Sequence, residues 1–121
     1  MKLIIAGCRH FDEEEIYTLL VNWRIENHPM VKADEIVSGT ATGVDAAGEW
    51  YADFYDVPVK KFPPNWNAHG KAAGPIRNSQ MAQYADALLL IWDGQSRGSA
   101  SMKKEMLKLN KPVYEVVLKI K

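Results

Sequence analysis

Ala87-Leu88-Leu89-Leu90-Ile91-Trp92 is a run of apolar residues with no polar alternation. A strand with one wet face alternates polar and apolar side chains, whereas a strand covered on both faces reads as a short continuous apolar run. Leu3-Ile4-Ile5-Ala6 has the same character, and Glu35 to Ser38 reads as a further strand. Burial on both faces requires helices above and below the sheet, and parallel strands need crossovers long enough to supply them. The intervening segments have that length. Asp12, with Glu15 three residues on, fits a capping box, and Ile16, Leu19, Leu20 and Trp23 then recur at helical spacing until Pro29. Val44, Ala47, Tyr51 and Phe54 mark one face of a second helix, running from Val44 to Tyr55. Gly74-Pro75 opens a third, with proline at the favoured first position. Ser99, Met102, Met106 and Leu109 form the inward face of a fourth, with Lys103, Lys104 and Lys108 outward. Pro58 to Phe62 reads as a short edge strand, Ala87 to Trp92 as the central strand and Val113 to Leu118 as the last. The pattern predicts an α/β fold: one doubly wound domain over residues 1–121, with a mostly parallel five-stranded sheet and helices on both faces.

Composition narrows the partners. The chain has 121 residues, 15 basic and 15 acidic, and zero formal net charge. Binding to extended nucleic acid or to a membrane surface draws on an excess of positive charge, so neither is expected. A local cation cluster aimed at one small anion stays compatible with neutrality. No apolar run approaches a membrane span, and the apolar residues of MKLIIAGCRHF stop too soon for a signal peptide. A single cysteine forms no intramolecular disulfide. The expectation is a cytoplasmic protein with no room for a second domain, from a cellular or a viral genome alike.

Right-handed crossovers place every strand-to-helix loop at one end of the sheet, where open α/β sheets bind ligands. Four segments fall there: Gly7 to Phe11, Gly39 to Gly43, Pro63 to Gly74, and Asp93 to Ser99. With the first turn of the third helix they carry Arg9, His10, His69, Lys71, Arg77 and Arg97, a set suited to an anionic small molecule. Ser38 to Gly48 has the form of strand, glycine turn and helix start, with Thr42 and Asp45 spaced as a capping box. That form fits a phosphate site at a helix N-terminus and equally a plain βα connection. Asp45 is either a cap or an acceptor for sugar hydroxyls, since a carboxylate would repel a phosphate. Pro63 to Ala73 is the longest irregular segment, and its Trp66 is a better base-stacking candidate than Trp92. Cys8 invites a nucleophile reading, but no histidine and acidic or amide partners can be assigned to it from sequence. The three histidines and one cysteine show no metal-ligand spacing, so no metal site and no cofactor are expected.

These motifs resemble the SLOG superfamily of Rossmann-like domains, which includes the Smf/DprA proteins and the LOG phosphoribohydrolases, and most of all its small YspA-like branch. Gly7-Cys8-Arg9-His10-Phe11 is similar to that branch's G-[ST]-R-x-[FW] opening, with cysteine at the hydroxyl position. Ser38-Gly39-Thr40-Ala41-Thr42-Gly43-Val44-Asp45 is similar to the S-G-x-A-x-G-[IV]-D motif of Smf/DprA proteins. Gly74 to Met81, followed by Ala85-Asp86-Ala87, looks like the arginine-bearing helix and next strand, and Gly94 to Ser99 is similar to the P-G-G-x-G-T turn. The resemblance implies a site for a nucleotide or nucleotide derivative, with phosphate at the glycine turns, Arg77 against phosphate or ribose, and Asp45 near the sugar. The LOG enzymes carry a catalytic glutamate three residues after that turn's threonine, where this chain has Met102. Methionine can neither transfer a proton nor stabilise an oxocarbenium-like sugar.

The expected ligand contacts are therefore backbone N–H groups around Gly7, Gly39, Gly43, Gly94 and Gly98, together with Cys8, Arg9, Thr40, Asp45, Trp66, Arg77, Asn78 and Ser99. No catalytic residue is assigned. The expected role is a sensor or sequestering protein for an ADP-ribose-like or other phosphorylated nucleoside. One alternative is a phosphoribohydrolase-like enzyme using Asp45, Asp93 or Glu105, and another is an interaction subunit with a vestigial site. Relatives with this architecture often pair through helices beside the site. Met102 and Met106 would fit the seam of a homodimer or higher oligomer, or a monomer core, equally well.

Overall fold

The computed structural model describes residues 1–119. Five strands form one sheet in the order β3-β2-β1-β4-β5: β1 Lys2–Gly7, β2 Glu35–Ser38, β3 Val59–Lys61, β4 Ala87–Trp92 and β5 Val113–Val117. Every neighbouring pair is parallel. The helices are α1 Glu13–Asn27, α2 Val44–Phe54, α3 Trp66–His69, α4 Ala73–Tyr84 and α5 Arg97–Lys108. No described helix is long and apolar enough to cross a membrane.

The sheet divides two cores because successive strand residues point to opposite faces. Leu3, Ile5, Ile36, Leu89 and Ile91 pack with Ile16 and Leu20 of α1 and with Val44, Ala47 and Tyr51 of α2. Ile4, Ala6, Val37, Leu88 and Leu90 pack with Met81 and Ala82 of α4 and with Met102 and Met106 of α5. All six residues of β4 are buried, as its unbroken apolar run predicts. β4 is interior, but β1 is the middle strand of the order. The chain winds outward through β2 and β3, then crosses back to β4 on the other side of β1. That reversal places the topological switch between β1 and β4.

Several local expectations change. Phe54 and Leu109 are exposed rather than inward, each lying at the end of its helix where the apolar stripe has left the sheet. α2 is capped at Gly43 with no side-chain bond, so Thr42 and Asp45 form no capping box. Instead Val44 N–H donates to the Cys8 carbonyl at 3.1 Å, which satisfies the first donor of α2 from the neighbouring loop. At α1 the Asp12 cap does form, accepting from Glu15 N–H at 3.3 Å. α4 begins at Ala73, so Pro75 is its third residue, still within the turn whose N–H groups lack helical partners. The segment expected to be irregular contains α3, whose cap Asn65 accepts from Ala68 N–H at 3.1 Å, and a 3₁₀ turn at Gly70–Ala72. One turn of helix is too short to show a hydrophobic period.

Candidate functional site

A cavity of about 320 Å³ opens at the carboxyl ends of β1 and β4. Gly7, Cys8 and Arg9 border it from the β1 loop, Ala41 and Asp45 from α2 and the turn before it. Arg77 and Asn78 come from α4, and Ser96, Gly98, Ser99 and Met102 from the start of α5. A second cavity of about 260 Å³ adjoins it, bordered by Gly39, Thr40 and Trp66. Arg9, Ala41 and Arg77 border both. Trp66 is 54 % exposed, so its ring is available at the rim. Gly94 borders neither cavity, and an added Cβ there would face Val117 at 3.6 Å. Lys71, His69 and Arg97 also border neither, because α3, the 3₁₀ turn and the exposed side of α5 carry them away.

The two arginines stand differently. Arg77 donates Nε–H to Asn78 Oδ1 at 2.9 Å and Nη1–H to the Gly39 carbonyl, which fixes its guanidinium against the β2 turn. Burial lowers the Arg77 pKa from its ordinary value, Asp45 opposes that shift, and Arg9 adds to it. Arg9 is exposed at the cavity mouth. Neither arginine makes an ion pair within 4.0 Å among the described residues. Two like charges thus border one cavity without a carboxylate in contact.

The glycine turns serve the protein's own packing more than the sequence suggests. A Cβ on Gly7 would lie 1.7 Å from the Ile91 carbonyl oxygen, and one on Gly39 would lie 2.5 Å from Arg77 Nη1. Gly43 has φ 77°, and a Cβ on it would meet Arg9 Cα and Cys8 O at 2.5 Å. Gly43 therefore lets the β1 and β2 loops touch, and does not itself border the ligand space. Between them, Thr40 holds φ 66°, an unusual conformation for a β-branched residue. Its N–H donates to Ser38 Oγ at 3.1 Å, and Ser38 Oγ donates to Glu49 at 2.7 Å.

Three carboxylates were candidates for acid–base work, and their surroundings separate them. Asp45 is buried and accepts from Ala41 N–H at 3.2 Å. Burial raises its pKa above the usual carboxylate range, against the pull of the Ala41 N–H, Arg77, the Gly7 N–H and Arg9. Asp93 is lowered to about 2, chiefly because Oδ1 accepts from Gln95 and Ser96 N–H at 2.8 and 2.9 Å. Glu105 pairs with Lys108 at 3.2 Å and does not border the cavity. Met102 does border it, so a thioether occupies that part of the α5 wall.

A carboxyl whose folded pKa is raised holds its proton more tightly in the native state, so its contribution is lost as pH rises through that pKa. Asp45→Asn keeps an acceptor for Ala41 N–H. It is expected to melt above the wild type at pH 7, with the gap closing toward pH 4. Melting curves at the two pH values check this, and a variant less stable at pH 7 than at pH 4, relative to wild type, would contradict it.

Ser99 Oγ, on the first turn of α5, is buried without a hydrogen-bond partner among the described residues. The α5 cap residue Ser96 makes no side-chain bond to its helix either. Cys8 also faces this corner, and the fold supplies what sequence could not: Cys8, His10 and Asp93 offer atoms all within 4.8 Å of one another. Burial raises the Cys8 pKa against the lowering pull of the Asp93 backbone N–H, and the facing Asp93 side chain adds to the rise, so the thiol is not the lowered-pKa nucleophile of a reactive cysteine. The absence of metal-ligand spacing along the chain did not reveal this grouping, because His10 and Asp93 sit on loops after neighbouring parallel strands.

Sheet order and site position together define a Rossmann-like domain with a cation-bordered crevice at its switch point. The chain belongs to the YspA, cpYpsA-related SLOG family, whose model matches residues 1–69. The matched part carries the Gly7–Phe11 and Gly39–Gly43 walls and ends before Arg77 and the α5 turn. A search of curated proteins found no match.

Proposed function

We propose that the domain binds a nucleotide or nucleotide derivative across the two adjoining cavities, as a sensor or sequestering protein. The observation that carries this reading is the pair Arg9 and Arg77, without ion-pair partners among the described residues, at the junction of both cavities. A phosphate or pyrophosphate there would be met by two guanidinium groups. The α5 N-terminus and Ser99 Oγ would supply further donors on one side. Trp66 would offer its ring to a base on the other side. Asp45, an acceptor inside the crevice, suits sugar hydroxyls. A central anion with a group on either side fits an ADP-ribose-like ligand better than a mononucleotide. SLOG membership supports a nucleotide-related ligand in general.

Thermal shift with ADP-ribose and a panel of nucleoside monophosphates tests the reading. A ligand at about 100-fold over Kd is expected to add about 2.7 kcal/mol to the folded state. That corresponds to a rise of roughly 10 °C for a domain of this size. No shift with any member of the panel would leave the vestigial-site alternative standing instead.

One observation favours a hydrolase as the second reading: Asp45 is a buried carboxyl in the crevice whose pKa burial shifts upward, the direction a general acid needs. Asp93 is too acidic for that role, and Glu105 is outside the cavity. Incubation with the same panel followed by chromatography for free base separates the readings. Binding without product is the expected result, and turnover abolished in Asp45→Asn would replace the binder with an enzyme.

A further inference from the structure

Cys8 and His10 lie on the loop after β1, and Asp93 directly follows β4, the strand paired with it. His10 Nε2 lies 3.4 Å from Asp93 Oδ2. That is long for a charge-assisted hydrogen bond, which runs about 2.7–2.9 Å. It matches the separation of two donors on one tetrahedral ion, about 3.3–3.4 Å for bonds near 2.0–2.1 Å. Asp93 Oδ1 is held by the Gln95 and Ser96 N–H groups, which leaves Oδ2 to face the imidazole. Backbone support of this kind is what positions a metal-ligating carboxylate. Cys8 is 2 % exposed, and Cys8 and His10 both border the main cavity, so the cluster has a route to solvent.

We propose that Cys8 Sγ, His10 Nε2 and Asp93 Oδ2 bind one borderline divalent transition-metal ion, Zn²⁺ being the representative. The mixed sulfur, nitrogen and oxygen set selects against Mg²⁺ and Ca²⁺, which take oxygen ligands. Three protein ligands leave a fourth position, as in catalytic zinc sites rather than closed structural ones. That position would face the cavity, within reach of water or of an anionic ligand's oxygen. Binding deprotonates the thiol and releases the proton to solvent. Thiolate and carboxylate then balance the ion's charge.

The test needs no nucleotide, so it is independent of the reading above. Full-length protein stripped with a chelator is titrated with Co²⁺ and followed by absorbance, then back-titrated with Zn²⁺. One equivalent of Co²⁺, a thiolate-to-metal charge-transfer band, and displacement by Zn²⁺ are expected. Cys8→Ser should abolish the band. His10→Ala and Asp93→Asn should each weaken Co²⁺ binding at least about tenfold. His69→Ala, outside the cluster, should leave it unchanged. Asn at 93 retains an oxygen for the Gln95 and Ser96 N–H groups, and circular dichroism confirms that each variant is folded. A missing band overturns the proposal, and so does wild-type affinity in either the His10 or the Asp93 variant.

Discussion

Gly43→Ala is expected to lower the melting temperature by roughly 10 °C or more. The backbone there has φ 77° and ψ −125°, outside the regions an L-residue occupies without strain. Such strain costs on the order of 1–3 kcal/mol. The new methyl would also meet Arg9 Cα and Cys8 O at 2.5 Å, both backbone atoms that cannot swing aside. Overpacking adds about 1–3 kcal/mol. Against a total stability of about 5–15 kcal/mol, the sum removes a large share. Gly98→Ala is the matched control, because a Cβ there meets nothing within 4 Å and its φ is not positive. Melting curves on the pair decide the matter. If Gly43→Ala melts within about 3 °C of Gly98→Ala, the close approach of the two loops does not constrain residue 43.

Arg77→Ala should weaken nucleotide binding by about 10- to 150-fold, the equivalent of about 1.5–3 kcal/mol for a hydrogen bond to a charged group. Part of the change arises within the protein, because Arg77 also ties α4 to the β2 turn through the Gly39 carbonyl. Losing that bond, whose donor is charged, costs about 1.5–3 kcal/mol of stability. Arg9→Ala separates the two effects, since Arg9 is exposed and makes no ion pair within 4.0 Å among the described residues. It should weaken binding with little change in melting temperature. Arg77→Lys keeps the charge but loses the planar fork, and should recover only part of the affinity. Isothermal titration with whichever ligand gives the largest thermal shift provides the measurement. Wild-type affinity in both alanine variants would remove the arginine junction from the site.

The fold was legible because its signals are local. The apolar run of β4, the Asp12 cap and the five-fold alternation of strand and helix depend on near neighbours in the chain, and they fix the fold class and the parallel sheet, though not that β1 is its middle strand. The same locality explains the misreadings. Thr42 and Asp45 have the spacing of a capping box, but the cap falls one residue later at Gly43, which lies against the Cys8–Arg9 backbone. Nothing within four residues of Gly43 reveals that contact.

The candidate site divides along the same line. Sequence alone placed Arg9, Asp45, Arg77 and Ser99 at one end of a parallel sheet, because right-handed crossovers put all such loops together. Only the tertiary structure decided which of them share a cavity, since that depends on helix orientation and loop contact. It removed Gly94 and Glu105, gave Gly43 to loop packing, and left Asp45 and Asp93 with opposite proton affinities. It also set Cys8, His10 and Asp93 face to face. Ligand spacing along a chain reports only clusters built from one segment, and this one is assembled from the ends of two paired strands.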